Sequence, residues 1–165
     1  MMNRDVQKRL LVGVAAVVVG AVYLLLSYGQ SGLGYPLDDA WIHQTYARNL
    51  GEHGVWAYWL GESTSAGSTA PLWTILLALG YWLGVPYLWW SYGLGLASWW
   101  VLLWASMRLF RCLWPAWGER DWLLGLVLVG MWPLAWAAVS GMETLLFGGM
   151  GMVLLLVYAE LGDEP

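Results

Sequence analysis

Two adjacent acids, Asp38 and Asp39, open an amphipathic stretch that carries His43 and Arg48, and a solitary Glu143 opens the last apolar run of the chain. Paired carboxylates beside a membrane surface can take a proton as a general base, hold a divalent metal ion or clamp a sugar hydroxyl. The plainer alternative is that Asp38 and Asp39 cap a surface helix and favour its dipole. His43 can pair with Asp39 at i, i+4, or serve only as a solvated or packing residue. Arg48 offers a charge-assisted contact to a lipid phosphate, or snorkels at the headgroups. Glu143 stands at a helix start, where a carboxylate is cheaper than at mid-membrane. Between these residues lies the small polar loop 62–69, reading ESTSAGST, in which Glu62, Ser68 and Thr69 are candidate substrate contacts. Cys112 is the single cysteine, so no intrachain disulfide or cysteine-rich metal site can form, and the two histidines lack zinc-ligand spacing.

The elements that must position these groups are membrane helices. The 165 residues are 60% hydrophobic and 11% charged, against roughly 25% charged in soluble domains. The 15 Trp and 21 Gly suit a bilayer, where Trp favours the interfaces and small residues let helices approach. A formal charge of −4 gives no reason to expect a nucleic-acid partner. The expected fold is therefore all-α and integral to the membrane. A single module over 1–165 has about four spans, near 10–28, 85–107, 122–139 and 144–159. The first follows Arg4, Lys8 and Arg9 and ends without a small-x-small cleavage pattern, so it reads as an uncleaved anchor.

A further apolar stretch, 71–83, covers only about 20 Å at 1.5 Å per residue and is too short to cross unaided. Charge placement supports leaving it on one side. With a cytoplasmic N-terminus and no crossing at 71–83, Arg4, Lys8, Arg9, Arg108, Arg111 and Arg120 are all cytoplasmic, and Arg48 alone of the seven cations is outside. Asp38, Asp39, Glu52, Glu62 and Glu143 then share the outer face. The long outer loop 29–84 is expected to hold two juxtamembrane helices. One starts after Pro36, with Asp38 as N-cap, and runs to about Leu50, placing Asp39, His43, Tyr46 and Leu50 on one face. The other has Pro71 in its first turn.

Four stretches together resemble a known family. DDAWIHQTYARNL (38–50), the glycine-broken GEHGVWAYWLGE, AGSTAPLWTILLALGYWLG (66–84) and SGMETLLF (140–147) are similar, in wording and order, to bacterial membrane glycosyltransferases of the GT-C type. The arabinofuranosyltransferase-like branch is the nearest in wording. The resemblance implies a multi-pass enzyme of the cytoplasmic (inner) membrane that moves a sugar from a polyprenyl-phosphate donor to an acceptor of the cell envelope on the outer face. It also implies catalytic roles for Asp38, Asp39 and Glu143, with Asp38 or Asp39 as base or as ligands of a divalent metal ion, and Arg48 as a phosphate contact. Two departures stand out. Thr45 occupies a position where the family pattern has an arginine, and the likeness covers only the N-terminal portion of such enzymes. The chain is thus expected to be the front part of a longer enzyme, or to need a missing C-terminal half or a partner membrane subunit. The rival class is a small non-catalytic membrane subunit or scaffold whose Trp-rich helices bind partner helices.

Overall fold

The computed structural model describes residues 4–162. Its elements, in order, are α1 (Arg4–Ser31), α2 (Asp38–His53), α3 (Pro71–Trp82), α4 (Tyr87–Leu113), a 3-10 turn (Pro115–Arg120), α5 (Asp121–Val129), α6 (Trp132–Val139) and α7 (Thr144–Gly162). Asp5–Gln30 of α1, α4 and α7 are each long and apolar enough to cross a membrane, and α5 with α6 makes a fourth candidate if the bent pair counts as one span. The described residues are all-helical, and their three long apolar helices suggest a multi-pass membrane protein.

The core forms where α1, α4, α5, α6 and α7 meet. Val12 and Ala16 from α1, Trp99, Leu103 and Met107 from α4, Val129 from α5, Ala135 and Ala138 from α6, and Leu145 from α7 are buried together. Small residues set the spacing. A side chain at Gly95 of α4 would meet the Ala138 carbonyl oxygen of α6 at 1.9 Å, so α4 and α6 touch backbone to backbone. Close approach of this kind raises the dispersion contact on which helices in lipid depend.

The expected straight span at 122–139 is two helices, bent by 69° at Gly130 and Met131. Pro133 explains the break, because a proline two positions into α6 has no N–H to give and its ring would clash with the carbonyl four residues earlier. Long apolar helices stand at the other three expected spans: α1 begins six residues before 10–28 and ends three after it, α4 begins two residues later than 85 and ends six beyond 107, and α7 ends three beyond 159.

Charge is sorted to the two ends. At one end Arg9 and Arg111 lie 3.7 and 2.9 Å from the buried Asp121 carboxylate, and Arg111 also reaches Asp5 at 3.9 Å. Arg108 pairs with Glu160 at 2.7 Å, and Lys8 donates to the Glu119 carbonyl. Asp38, Asp39, Arg48, Glu52, Glu62 and Glu143 belong to the segments at the other end. The short helix α3 stays there: Trp73 near its start bonds Gly141 just before α7, and Tyr81 near its finish stacks on Tyr87 at the start of α4. Its twelve residues extend about 18 Å, short of the roughly 30 Å of hydrocarbon.

Candidate functional site

The site at the acidic end rests on the α2–α3 hairpin. α2 begins after extended Leu37, and no side chain caps it. The expected N-cap role of Asp38 is therefore not realised; Asp38 is already helical, and its charge acts only on the dipole. The expected end near Leu50 is passed by one turn, to Gly54, whose φ of 69° closes α2. Gly51 sits inside the helix because α3 comes so close there that a Cβ would meet the Ala78 carbonyl at 2.7 Å. Asn49 then ties the turn after α2 by donating to the carbonyls of Ala57 and Tyr58.

His43 is buried, 1% exposed, at the meeting point of α2, the polar loop and α7. Its Nδ1 lies 3.0 Å from Ser68 Oγ, and Ser68 Oγ lies 2.6 Å from Thr74 Oγ1 on α3. Its Nε2 faces Glu143 Oε2 at 3.5 Å. That is beyond a normal hydrogen bond, and both atoms are buried without a hydrogen-bond partner among the described residues. Burial lowers the proton affinity of His43, and the carboxylates of Glu143 and Asp39 oppose that shift. A neutral ring accepting at Nδ1 from Ser68 directs its remaining proton, on Nε2, toward Glu143.

Glu143 is positioned by the turn that precedes α7. Gly141 has φ 79°, and a Cβ on it would overlap the Tyr35 ring at 2.4 Å. Its carbonyl accepts from Trp73 Nε1 at 2.9 Å, which locks the turn to α3. Glu143 also lines a cleft of about 390 Å³ with Thr69, Ala70, Pro71, Leu72, Thr144, Leu146, Phe147 and Met150. Leu72, Phe147 and Met150 are largely exposed, so the cleft opens sideways where the apolar flanks of α3 and α7 face outward. Its polar head is made by Glu143 with Thr69 and Thr144.

Other residues expected at a site are distributed around this pair. Asp39 is exposed on the His43 face of α2, near enough to raise the His43 proton affinity. Asp38 is exposed, and no bond joins it to His43 or Glu143. Ser68 is buried against His43, and Thr69 lines the cleft. Glu62 is exposed in the loop and makes no ion pair with the cluster. Arg48, about 140° around α2 from His43 at 100° per residue, lines a separate pocket of about 210 Å³ with Trp41, Gln44, Thr45, Tyr81 and Tyr87. Among the described residues no three His, Cys, Asp or Glu side chains converge closely enough to hold a metal ion. Asp38 and Asp39 alone do not complete such a site.

Several supporting residues left little trace in the sequence. Thr74 and Trp73 lie in an apolar run that reads only as helix. Tyr35, Gln44 and Ser91 form one directed chain: Gln44 Nε2 donates to Tyr35 Oη at 2.8 Å, Tyr35 to Ser91 Oγ at 2.5 Å, and Ser91 to the Leu88 carbonyl at 3.0 Å. Burial holds the Tyr35 phenol far above its ordinary value, so it remains a donor. No family model, curated protein or solved structure matches this chain.

Proposed function

We propose that this chain is a GT-C type glycosyltransferase module that moves a sugar from a polyprenyl-phosphate donor to an acceptor hydroxyl at the outer surface of the cytoplasmic membrane, with its N-terminus inside. The observation that carries this reading is the outward-opening apolar cleft between α3 and α7, headed by the unsatisfied His43–Glu143 pair. A polyprenyl tail has the chemistry of the cleft walls Leu72, Leu146, Phe147 and Met150. Its phosphate would lie at the first turns of α3 and α7, with the Thr69 and Thr144 hydroxyls beside it. The acidic motif and SGMETLLF resemblance agrees with this placement, since it assigns chemistry to the same outer segments.

In this scheme the acceptor oxygen attacks the anomeric carbon, and the bond from that carbon to the phosphate oxygen breaks. The acceptor proton passes to a carboxylate. Glu143 is the base best placed for it, because its carboxylate faces His43 Nε2 at 3.5 Å on one side and lines the cleft. Asp39 stands behind as a second negative charge that keeps the imidazole basic enough to share the proton. Ser68 and Thr74 fix the His43 ring from the opposite edge. The orientation follows from the six cations assigned to the end away from the site.

Donor binding is tested with a photoactivatable polyprenyl phosphate, crosslinked in detergent micelles and mapped by mass spectrometry. Labelling should fall on residues 69–72 and 143–150. Labelling concentrated instead on the apolar surface around Leu109, Leu128 and Met152 would refute the donor site and favour the scaffold reading, which that second groove of about 600 Å³, apolar but for Ser106, supports.

A further inference from the structure

The groove of about 600 Å³ lies in the half of the bundle away from the His43–Glu143 cleft. It follows one stripe of α4, from Leu102 through Ser106 and Leu109 to Leu113, which is about 17 Å at 1.5 Å per residue. That is close to half of the roughly 30 Å of hydrocarbon in a bilayer, the depth of one leaflet. The facing walls are Met152 of α7 and the residues Leu128, Met131 and Leu134, which straddle the 69° bend between α5 and α6. Volume over length gives a cross-section of roughly 35 Å², less than half that of a helix ~10–12 Å across. A hydrocarbon chain, whose carbons touch their neighbours at about 4 Å, fits lengthwise; a partner helix would rest on the rim and leave the groove unfilled.

The mouth of the groove at the cationic end supplies a charge. Trp114 lines the groove, and its carbonyl accepts from the Trp117 N–H at 3.0 Å. Arg120 lies over the Trp117 ring at 4.6 Å. All three side chains are exposed. Arg9 and Arg111 face the Asp121 carboxylate and Arg108 pairs with Glu160, but Arg120 has no carboxylate within ion-pair distance among the described residues. The apolar channel therefore ends beside two indoles, which favour headgroup depth, and a guanidinium whose fork suits a phosphate.

We propose that this face seats one anionic phospholipid of the leaflet at the cationic end, an acyl chain in the groove along α4 and the phosphate on Arg120. The chain supplies dispersion contact to α4, α7 and the bent α5–α6 pair, and the flexible Met131 and Met152 side chains adapt to it. The phosphate meets a cation that the fold leaves without a carboxylate. Bulk lipid touches every apolar face alike; this seat differs in having the depth of one leaflet, a width too small for a helix and a charge at its head. It is separate from the transfer reading, since it lies at the other end of the bundle and predicts binding without turnover.

The test is native mass spectrometry of the purified full chain released from micelles holding equal amounts of dioleoylphosphatidylglycerol and dioleoylphosphatidylcholine. One retained lipid is expected, with phosphatidylglycerol favoured about fivefold, the equivalent of the ~1 kcal/mol that a basic residue contributes at a headgroup surface. Arg120→Gln should bring the two lipids to near-equal retention, and Leu128→Trp, which fills the groove, should remove both. Val14→Trp, on the exposed face of α1, should change neither. A second measurement stands even if Leu128→Trp fails to fold: phosphatidylglycerol with a diazirine at its chain end, photolysed on the wild-type chain, should label the deep end of the groove at Leu102 and residues 131–134. Equal retention of the two lipids by wild type, an undiminished preference in Arg120→Gln, lipid retained by folded Leu128→Trp, or label spread evenly over the exposed faces of α1 and α7 would each overturn the proposal. A lipid-free dimer that Leu128→Trp dissociates would overturn it in favour of a second copy of the chain.

Discussion

Replacing Gly141 with alanine tests how the site is held. Its φ of 79° is a left-handed conformation that costs an L-residue about 1–2 kcal/mol. The new Cβ would lie 2.4 and 2.6 Å from two atoms of the Tyr35 ring. That ring has little freedom to retreat, because its hydroxyl is bonded to Gln44 and Ser91 and its faces pack on Trp41 and Tyr92 at 4.9 and 6.1 Å. Overpacking of this sort costs about 1–3 kcal/mol. The two effects together predict a loss of about 2–5 kcal/mol. Equilibrium unfolding in mixed micelles at increasing sodium dodecyl sulfate concentration measures it from the shift in midpoint. Gly151→Ala is the control: no atom lies within 4 Å of its Cβ position inside α7, so helix propensity predicts a neutral change or a gain of up to about 1 kcal/mol. A Gly141→Ala loss below about 0.5 kcal/mol, or one equal to that of Gly151→Ala, would refute the argument that this turn is fixed by Tyr35 and Trp73.

Stability should also fall as the pH drops below about 6.5, the ordinary histidine value, because burial lowers the folded-state proton affinity of His43 and the unfolded chain takes up more protons. The contribution is complete above that value and diminishes as the pH falls toward the lower folded value; thermal unfolding at pH 7.5 and 5.0 should show the slope in wild type and a flatter one in His43→Asn. Asp121→Asn removes a carboxylate with 3% of its side chain exposed that serves Arg9 and Arg111; since those arginines are themselves about a third open to solvent, the expected loss is about 1–3 kcal/mol rather than the 3–5 of a fully buried pair. Topology is read by labelling Thr64→Cys and Ala116→Cys in a Cys112→Ser background with a membrane-impermeant maleimide on intact cells. Thr64→Cys should label and Ala116→Cys should not; labelling of both, or of Ala116→Cys alone, would contradict the proposed orientation.

The long apolar helices, the short helix α3 and the gathering of cations at one end were legible because each depends on local composition: apolar length, a proline in a first turn, and the spacing of Lys and Arg. The break at Gly130 and Met131 was also written locally, in Pro133, but a continuous apolar run hid it. α2 outruns its expected end because Gly51 answers to Ala78 on another helix, a contact that helix periodicity does not contain. Asp39, His43 and Glu143 could be picked out as chemistry-bearing side chains. Their arrangement could not, because His43 and Glu143 meet across segments far apart in sequence, which contacts such as the Trp73–Gly141 bond hold together. Arg48 shows the limit most clearly: it shares α2 with His43 and looked like part of one site, yet five residues on a helix place it on another face.

The central claim is tested most directly by transfer of radiolabelled sugar from polyprenyl-phosphate donors in membranes expressing this chain, comparing wild type with Glu143→Gln and Asp39→Asn at matched protein levels. The account predicts transfer by wild type, a fall of at least 100-fold in Glu143→Gln, within the usual contribution of a general base, and a smaller fall in Asp39→Asn. Wild-type membranes no more active than the empty-vector control across a broad donor set, or transfer that persists undiminished in Glu143→Gln, would contradict it.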